Sequence, residues 1–342
     1  MTEGAPSTAH SPQAFPDRIL VRLKAPGGTD ETALDLADGG LVCRQTGEQF
    51  PDINGVPSLF SPTAGEGEDI TRRVRSFYEE HPFPNYEGLE EFGELVAKGS
   101  ENRFSADLLD SIGYNKTVLE CGCGTGQLSH FLQLNNNCVL GVDMSLGSLA
   151  LAIQHKRRNG LARSAFAQMN IFNLAVKDNS FDVVISHGVL HHTFDAQRAF
   201  GAIVRKLKPG GVVVVGLYNT YARIPTWLRS KVIGVTGGRI DYVVRNRIRD
   251  ARKADTWIKD QYYNPHETWH SIGEVLSWFN ANGIDYLNCS PGILGTDGED
   301  NRAMFAATVP GTSYKRAVTQ LSWIGTIARE GALFDMIGRK RV

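Results

Sequence analysis

The residues with the clearest chemical purpose form the run Glu120-Cys121-Gly122-Cys123-Gly124-Thr125-Gly126. Three glycines at alternate positions let the backbone turn sharply and approach a ligand, because no Cβ stands in the way. The apolar Thr117–Leu119 before them reads as a strand, and Gln127–Leu134 after them as a helix whose first N–H groups can face an anion. The spacing is not that of the dinucleotide fingerprint, whose last two glycines are separated by two residues. A second carboxylate, Asp143, closes the next apolar run 23 residues after Glu120. At the end of a second strand such a group can accept both hydroxyls of a ribose. Met144 beside it offers a polarizable apolar face to a base. The other role open to Asp143 is N-cap of the helix that follows.

The elements that must position these residues alternate in type from Lys116 onward. Apolar runs at Thr117–Cys121, Cys138–Val142, Ala165–Met169, Phe181–Ser186 and Gly211–Leu217 read as strands. Helical periodicity fills the intervals at Gln127–Leu134, Leu146–Arg158 and Asp195–Leu207. This pattern is α/β, a doubly wound parallel sheet. A helix at Ile272–Ala281 and strands at Ile284–Cys289 and Leu333–Gly338 follow.

The glycine loop, Asp143, the strand end Met169-Asn170-Ile171, the Phe181-Asp182 opening of the fourth strand and Leu207-Lys208-Pro209-Gly210-Gly211 stand in order over about residues 110–220. Together they resemble the class I S-adenosylmethionine (SAM) methyltransferases, of the type 11 kind. The resemblance implies a Rossmann-like, seven-stranded, mostly parallel sheet whose last strand enters antiparallel. It implies SAM as cofactor, bound by Glu120, Gly122, Cys123, Gly124, Gly126, Asp143, Met144, Asn170, Ile171 and His187. The family usually has Asp where Asn170 stands, to bond the adenine amine; Asn keeps the acceptor and loses the charge. His187 is placed near the methionine moiety.

The 342 residues divide into a disordered stretch at 1–17, a small β module at 18–62, a linker and lid helix at 63–105, and the SAM-binding domain at 106–342 with a helical insertion at 220–271. Ile19–Leu23 reads as the module's first strand. The segment Phe50–Pro57 is similar to the end of small zinc-ribbon-like domains. That family carries two Cys pairs, whereas Cys43 stands alone with Thr46 in its partner's place, so the module reads as a degenerate ribbon with no metal. Val74–Tyr86 reads as a short amphipathic helix ended by prolines, either a hydrophobic clasp or a lid over the cofactor.

The net charge of −1 argues against a globally basic nucleic-acid binder. Five scattered cysteines read as reduced, buried thiols. No apolar stretch approaches the roughly 20 residues of a membrane span. The first residues lack the layout of a signal peptide, so cytoplasmic residence is expected.

Methyl transfer needs a base only where the acceptor must shed a proton. The candidates beyond the strand ends are His187, His191 and His192 after the fourth strand, and Tyr263, His266 and His270 in a polar-aromatic loop. Each histidine could equally serve as a cap, a core contact or a backbone hydrogen-bond partner. Arg223–Lys259 holds ten Lys or Arg and three Asp, including arginines 245, 247, 249 and 252. It reads either as a solvated helical cap or as a site for an anion. The expected function is methyl transfer from SAM to O, N or C of a small-molecule or biosynthetic intermediate, possibly anionic. The alternatives are an RNA- or tRNA-modifying methyltransferase, a non-catalytic scaffold or activator, and SAM chemistry other than methyl transfer. Peripheral contact with an anionic membrane stays open.

Overall fold

A computed structural model describes residues 15–62, 65, 67–229, 264–295, 303–328 and 331–342. The chain enters through α1 (Asp17–Leu20). Ile19 and Leu23, four residues apart, are both fully buried, which is a helical spacing and not the expected strand. Leu23 and Lys24 make only isolated bridges, to Val176 and Ala33. Phe15 is buried in the core, so order begins inside the stretch expected to be disordered.

Strands β1 (Leu34–Ala37), β2 (Gly40–Cys43), β3 (Gln49–Ile53) and β4 (Val56–Pro57) form an antiparallel sheet in chain order. Asn54 and Gly55 take positive φ at the β3–β4 turn, the conformation an Asn-Gly hairpin turn needs. Helix α2 (Glu68–Glu80) begins six residues earlier than the periodicity suggested, and α3 (Phe92–Glu101) and α4 (Arg103–Ile112) follow it.

The main sheet contains β5 (Thr117–Cys121), β6 (Cys138–Asp143), β7 (Ser164–Gln168), β8 (Phe181–His187), β9 (Leu207–Tyr218), β10 (Ile284–Ser290) and β11 (Leu333–Lys340). Its order is β10-β11-β9-β8-β5-β6-β7, with β11 antiparallel to both neighbours. Helices α5 (Gln127–Leu132), α6 (Leu146–Arg158), α7 (Ala196–Val204), α8 (Ile272–Ala281) and α9 (Ser313–Thr326) complete the regular elements named here.

Both faces of the sheet are dry, which is why its strands read as continuous apolar runs. Leu119, Val213 and Val215 belong to one core cluster and Val118, Val212 and Val214 to the other, so successive residues point to opposite layers. The N-terminal module shares the first cluster through Leu41, Phe50 and Leu59. It also covers the edge of the sheet at β7. The Leu59 N–H donates to the Gln168 carbonyl at 2.9 Å, and the Ser58 hydroxyl donates to the Gln168 side chain at 2.7 Å. The helix before β9 ends at Val204, short of the expected Leu207. Leu207 pairs with Phe181 and Val212 with Val183, so Lys208–Gly211 bulge out of the ladder, with Gly210 at φ 75°.

Candidate active site

A cavity of about 500 Å³ lies beyond the C-terminal ends of the parallel strands. Its floor is the turn between β5 and α5. Gly122, Gly124 and Gly126 have φ of 80°, 52° and 77°. A Cβ on them would collide with Val189, the Phe83 carbonyl and the Phe166 ring respectively. The loop therefore needs glycine for space as well as for conformation.

The segment Phe83–Tyr86 straps this loop. Tyr86 donates its hydroxyl to the Thr125 carbonyl at 2.7 Å, Thr125 donates to the Pro84 carbonyl at 2.5 Å, and Gln127 donates to the Asn85 carbonyl at 2.6 Å. Upstream, the Glu79 carboxylate at the end of α2 accepts from the Leu146 and Gly147 N–H groups, each at 2.8 Å, at the N-terminus of α6. Tyr78, Phe83 and Pro84 line the cavity, so the aromatic segment is its roof.

Asp143 faces the cavity from the end of β6. One carboxylate oxygen accepts from Gly124 N and the other from Ser145 N, both at 2.9 Å. Ser145, not Asp143, caps α6, by accepting from Ser148 N. Burial raises the Asp143 pKa, against its backbone hydrogen bonds. Glu120 is buried beneath the loop and accepts from the Ser129 hydroxyl. Burial pushes its pKa up to about 7. Met144, Met169, Ile171 and Phe172 supply an apolar wall. Asn170 lies in the same wall; its amide donates to the Ser61 carbonyl at 3.0 Å and its oxygen accepts from Phe172 N at 3.1 Å. Cys123 is buried, and burial lifts its thiol pKa well above the ordinary value.

At the opposite end stand Phe104, His187, His192, Tyr218 and Leu333. His187 Nδ1 lies 2.7 Å from Asp335 Oδ1, and its ring stacks on Phe104 with centroids 4.0 Å apart. Burial works against a charge on His187, yet the carboxylate and its hydrogen bond prevail and its pKa is raised. His192 Nδ1 bonds the His266 carbonyl at 2.8 Å, which makes Nε2 the lone-pair nitrogen of the neutral ring.

Residues 112–265 match a family model described as a methyltransferase domain. Over that span, less than half of its length, the chain is similar to methyltransferase domains. The resemblance implies S-adenosylmethionine as its cofactor. The glycine cradle, the Asp143 carboxylate and the apolar wall fit that group. A protein of Synechococcus sp. described as uncharacterized is 27% identical over 266 residues, covering 68% of this chain and 63% of its own. The ubiquinone biosynthesis O-methyltransferase of Cronobacter sakazakii is 30% identical over 50% of this chain and 63% of its own. The chain thus spans less than two thirds of each relative's length. Among solved structures, phosphoethanolamine N-methyltransferase 2 of Haemonchus contortus in complex with S-adenosyl-L-methionine aligns at a TM-score of 0.44 and 17% identity, over 79% of this chain and 60% of that one.

All ten residues expected at the cofactor of the methyltransferase domain lie in or against this one cavity: nine line it, and Gly126 closes the loop beneath it. Of the expected bases among the described residues, His187 and His192 line the cavity and the others do not. His191 is fully buried behind Tyr218, stacked on it at 3.8 Å, and both its ring nitrogens lack a hydrogen-bond partner. Burial drives its pKa well down. His270 is locked by Glu274 at 2.9 Å and Thr268 at 2.8 Å, beside the cap Ser271. His266 contributes its carbonyl, while its Nε2 is buried without a partner. Tyr263 and the arginines at 245–252 lie outside the described residues. Two functional neighbours had not been singled out. Asp335 was signalled only by a carboxylate inside an apolar strand. Arg223, counted with the basic insertion, is 1% exposed, paired with Glu267 at 2.7 Å and set 3.8 Å over the Tyr218 ring.

Among the described residues no helix is long and apolar enough to cross a membrane.

Proposed function

We propose that the protein moves a methyl group from SAM to an oxygen or nitrogen of a small molecule. The observation that carries this reading is the division of one roofed cavity. One end holds the glycine loop, Asp143 and the apolar wall. The other presents aromatic rings and two imidazoles. SAM supplies a methyl group on a sulfonium, a leaving group that needs no acid. The chain's task is alignment and exclusion of water. Asp143 has an oxygen on each side for the ribose hydroxyls. Met144, Ile171 and Asn170 enclose the adenine, the last with its side-chain oxygen as acceptor. Among the described lining residues Lys98 is the one lysine or arginine, and it bonds Gln127 at 3.1 Å beside the glycine loop. His192 lines the end away from that loop, its Nδ1 bonded to the His266 carbonyl.

The test is to incubate the protein with methyl-labelled SAM and a metabolite extract of the source organism. A small molecule heavier by one methyl group is the expected product. Label appearing only in the tRNA fraction would move the assignment to RNA modification. SAM binding with no labelled product of any kind would defeat the enzymatic reading.

A further inference from the structure

Three neighbouring strands bring His187, Gly216 and Asp335 into one row. His187 closes β8 and pairs with Gly216 of β9, and Gly216 pairs with Asp335 of β11. The His187 imidazole and the Asp335 carboxylate meet across that glycine at 2.7 Å. A Cβ on Gly216 would stand 2.6 Å from the Asp335 oxygen and 2.7 Å from the His187 nitrogen. Only glycine leaves room for the pair. Asp335 is 6% exposed, between the buried Phe334 and Met336. A carboxylate in that position is costly without a partner. Phe104 of α4 covers the ring at an interplanar angle of 22°. The imidazole is thus fixed from two strands and one helix, yet it lines the cavity, and Nε2 makes no hydrogen bond to a described residue.

A histidine whose Nδ1–H is held by a buried carboxylate carries its lone pair on Nε2, and the carboxylate stabilises the imidazolium once Nε2 takes a proton. We propose that His187 is the base of the methyl transfer, taking the acceptor's proton on Nε2, with Asp335 as its positioning residue. This rests on the methyltransferase reading above. The step balances: the new bond joins the acceptor oxygen or nitrogen to the methyl carbon, and the carbon–sulfur bond breaks with its electron pair passing to sulfur. The acceptor's proton passes to Nε2. A base of imidazole strength suits an acceptor of comparable acidity, such as a phenolic or enolic hydroxyl, and not an aliphatic alcohol. The charged groups facing the ring agree with this role. Asp335 from β11 and Glu120 from β5 favour its protonated form, whereas His191, from the turn after β8, is held neutral by burial.

The experiment compares wild type with His187→Gln, Asp335→Asn and Gly216→Ala, using as acceptor the unmethylated form of the labelled product identified in the extract. It measures kcat against pH, and the Kd for SAM by calorimetry. His187→Gln should lose at least about 100-fold in kcat, with a smaller change in Kd. In Asp335→Asn the acid limb of the pH profile should move to lower pH, and Gly216→Ala should resemble it. An NMR titration of the His187 ring reads the dyad without turnover: it should titrate above the ordinary imidazole value in wild type and fall in Asp335→Asn. A pH profile of Asp335→Asn that superimposes on wild type, or a His187 ring titrating at or below the ordinary value, would overturn the dyad. Wild type that binds SAM and methylates nothing defeats the reading beneath it instead.

Discussion

Replacing Asp143 by Ala tests the cofactor end of the cavity most directly. The two carboxylate oxygens already accept one backbone N–H each, from Gly124 and Ser145, at 2.9 Å. Each keeps a lone pair for one ribose hydroxyl. The alanine variant loses both prospective ribose bonds and leaves the two N–H groups to find other partners. Hydrogen bonds to a charged group contribute about 1.5–3 kcal/mol each. Part of that is recovered where water enters the gap, so a net loss of about 3 kcal/mol is reasonable, or roughly 100-fold in Kd at about 1.4 kcal/mol per decade. Asp143→Asn keeps an oxygen acceptor toward one hydroxyl and should fall between the two. Calorimetry with SAM and with its demethylated product measures this, since both carry the ribose and should weaken together. Circular dichroism and a melting curve show whether the fold survives. A folded Asp143→Ala protein that binds SAM within threefold of wild type would refute the ribose assignment.

Other expectations concern stability and coupling. Glu120 has its pKa raised by burial from 4.5 to about 7, so the folded state holds this proton more tightly than the unfolded chain. Its contribution is full below about pH 4.5 and is lost as pH rises toward 7, at a cost of about 3 kcal/mol by linkage. Glu120→Gln should therefore be more stable than wild type at pH 8 and similar at pH 4.5, as read by urea unfolding at both values. Glu267→Ala leaves the buried Arg223 guanidinium without its carboxylate and should destabilise by about 3–5 kcal/mol; a double variant with Arg223→Met should recover part of this in the same assay. Glu79→Ala removes the charged cap on two N–H groups of α6, worth about 1–2 kcal/mol. It should also speed SAM dissociation in stopped flow; an unchanged off-rate would mean that α2 does not restrain the cofactor.

The parallel half of the sheet was legible because buried parallel strands are apolar without interruption. β5 was placed to the residue, and β6, β7 and β8 within one residue at each end. The places of the glycine loop and Asp143 at the cavity were legible because each stands at its own strand end. His191 was misjudged for a related reason. A sequence shows that a histidine follows a strand but not which way its ring turns, and this ring turns into the core against Tyr218. The pairing of His187 with Asp335, 148 residues apart, depends on β11 inserting between β9 and β10. No local pattern fixes that register. Gly216 carried a faint trace of it, as a glycine in a valine-rich central strand where a side chain would otherwise be favoured.

The division into a β module, a lid segment and a SAM-binding domain also takes on a different physical meaning. Phe60, Val74, Tyr78, Phe83 and Phe104 all precede β5, yet all of them line the cavity. Phe60 is brought there because the chain just before it, at Ser58 and Leu59, adds to the edge of β7. Tyr78 is brought there because Glu79 caps α6, and Phe83 because its carbonyl lies against Gly124. Each anchor is a polar contact to a part of the domain that also faces the cofactor. Closure over the acceptor and order in the cofactor loop are thus held by the same bonds. A fragment beginning at β5 would keep Asp143 and the glycines but lose the aromatic roof and the strap over the loop. Water would then reach the site that the reaction needs dry.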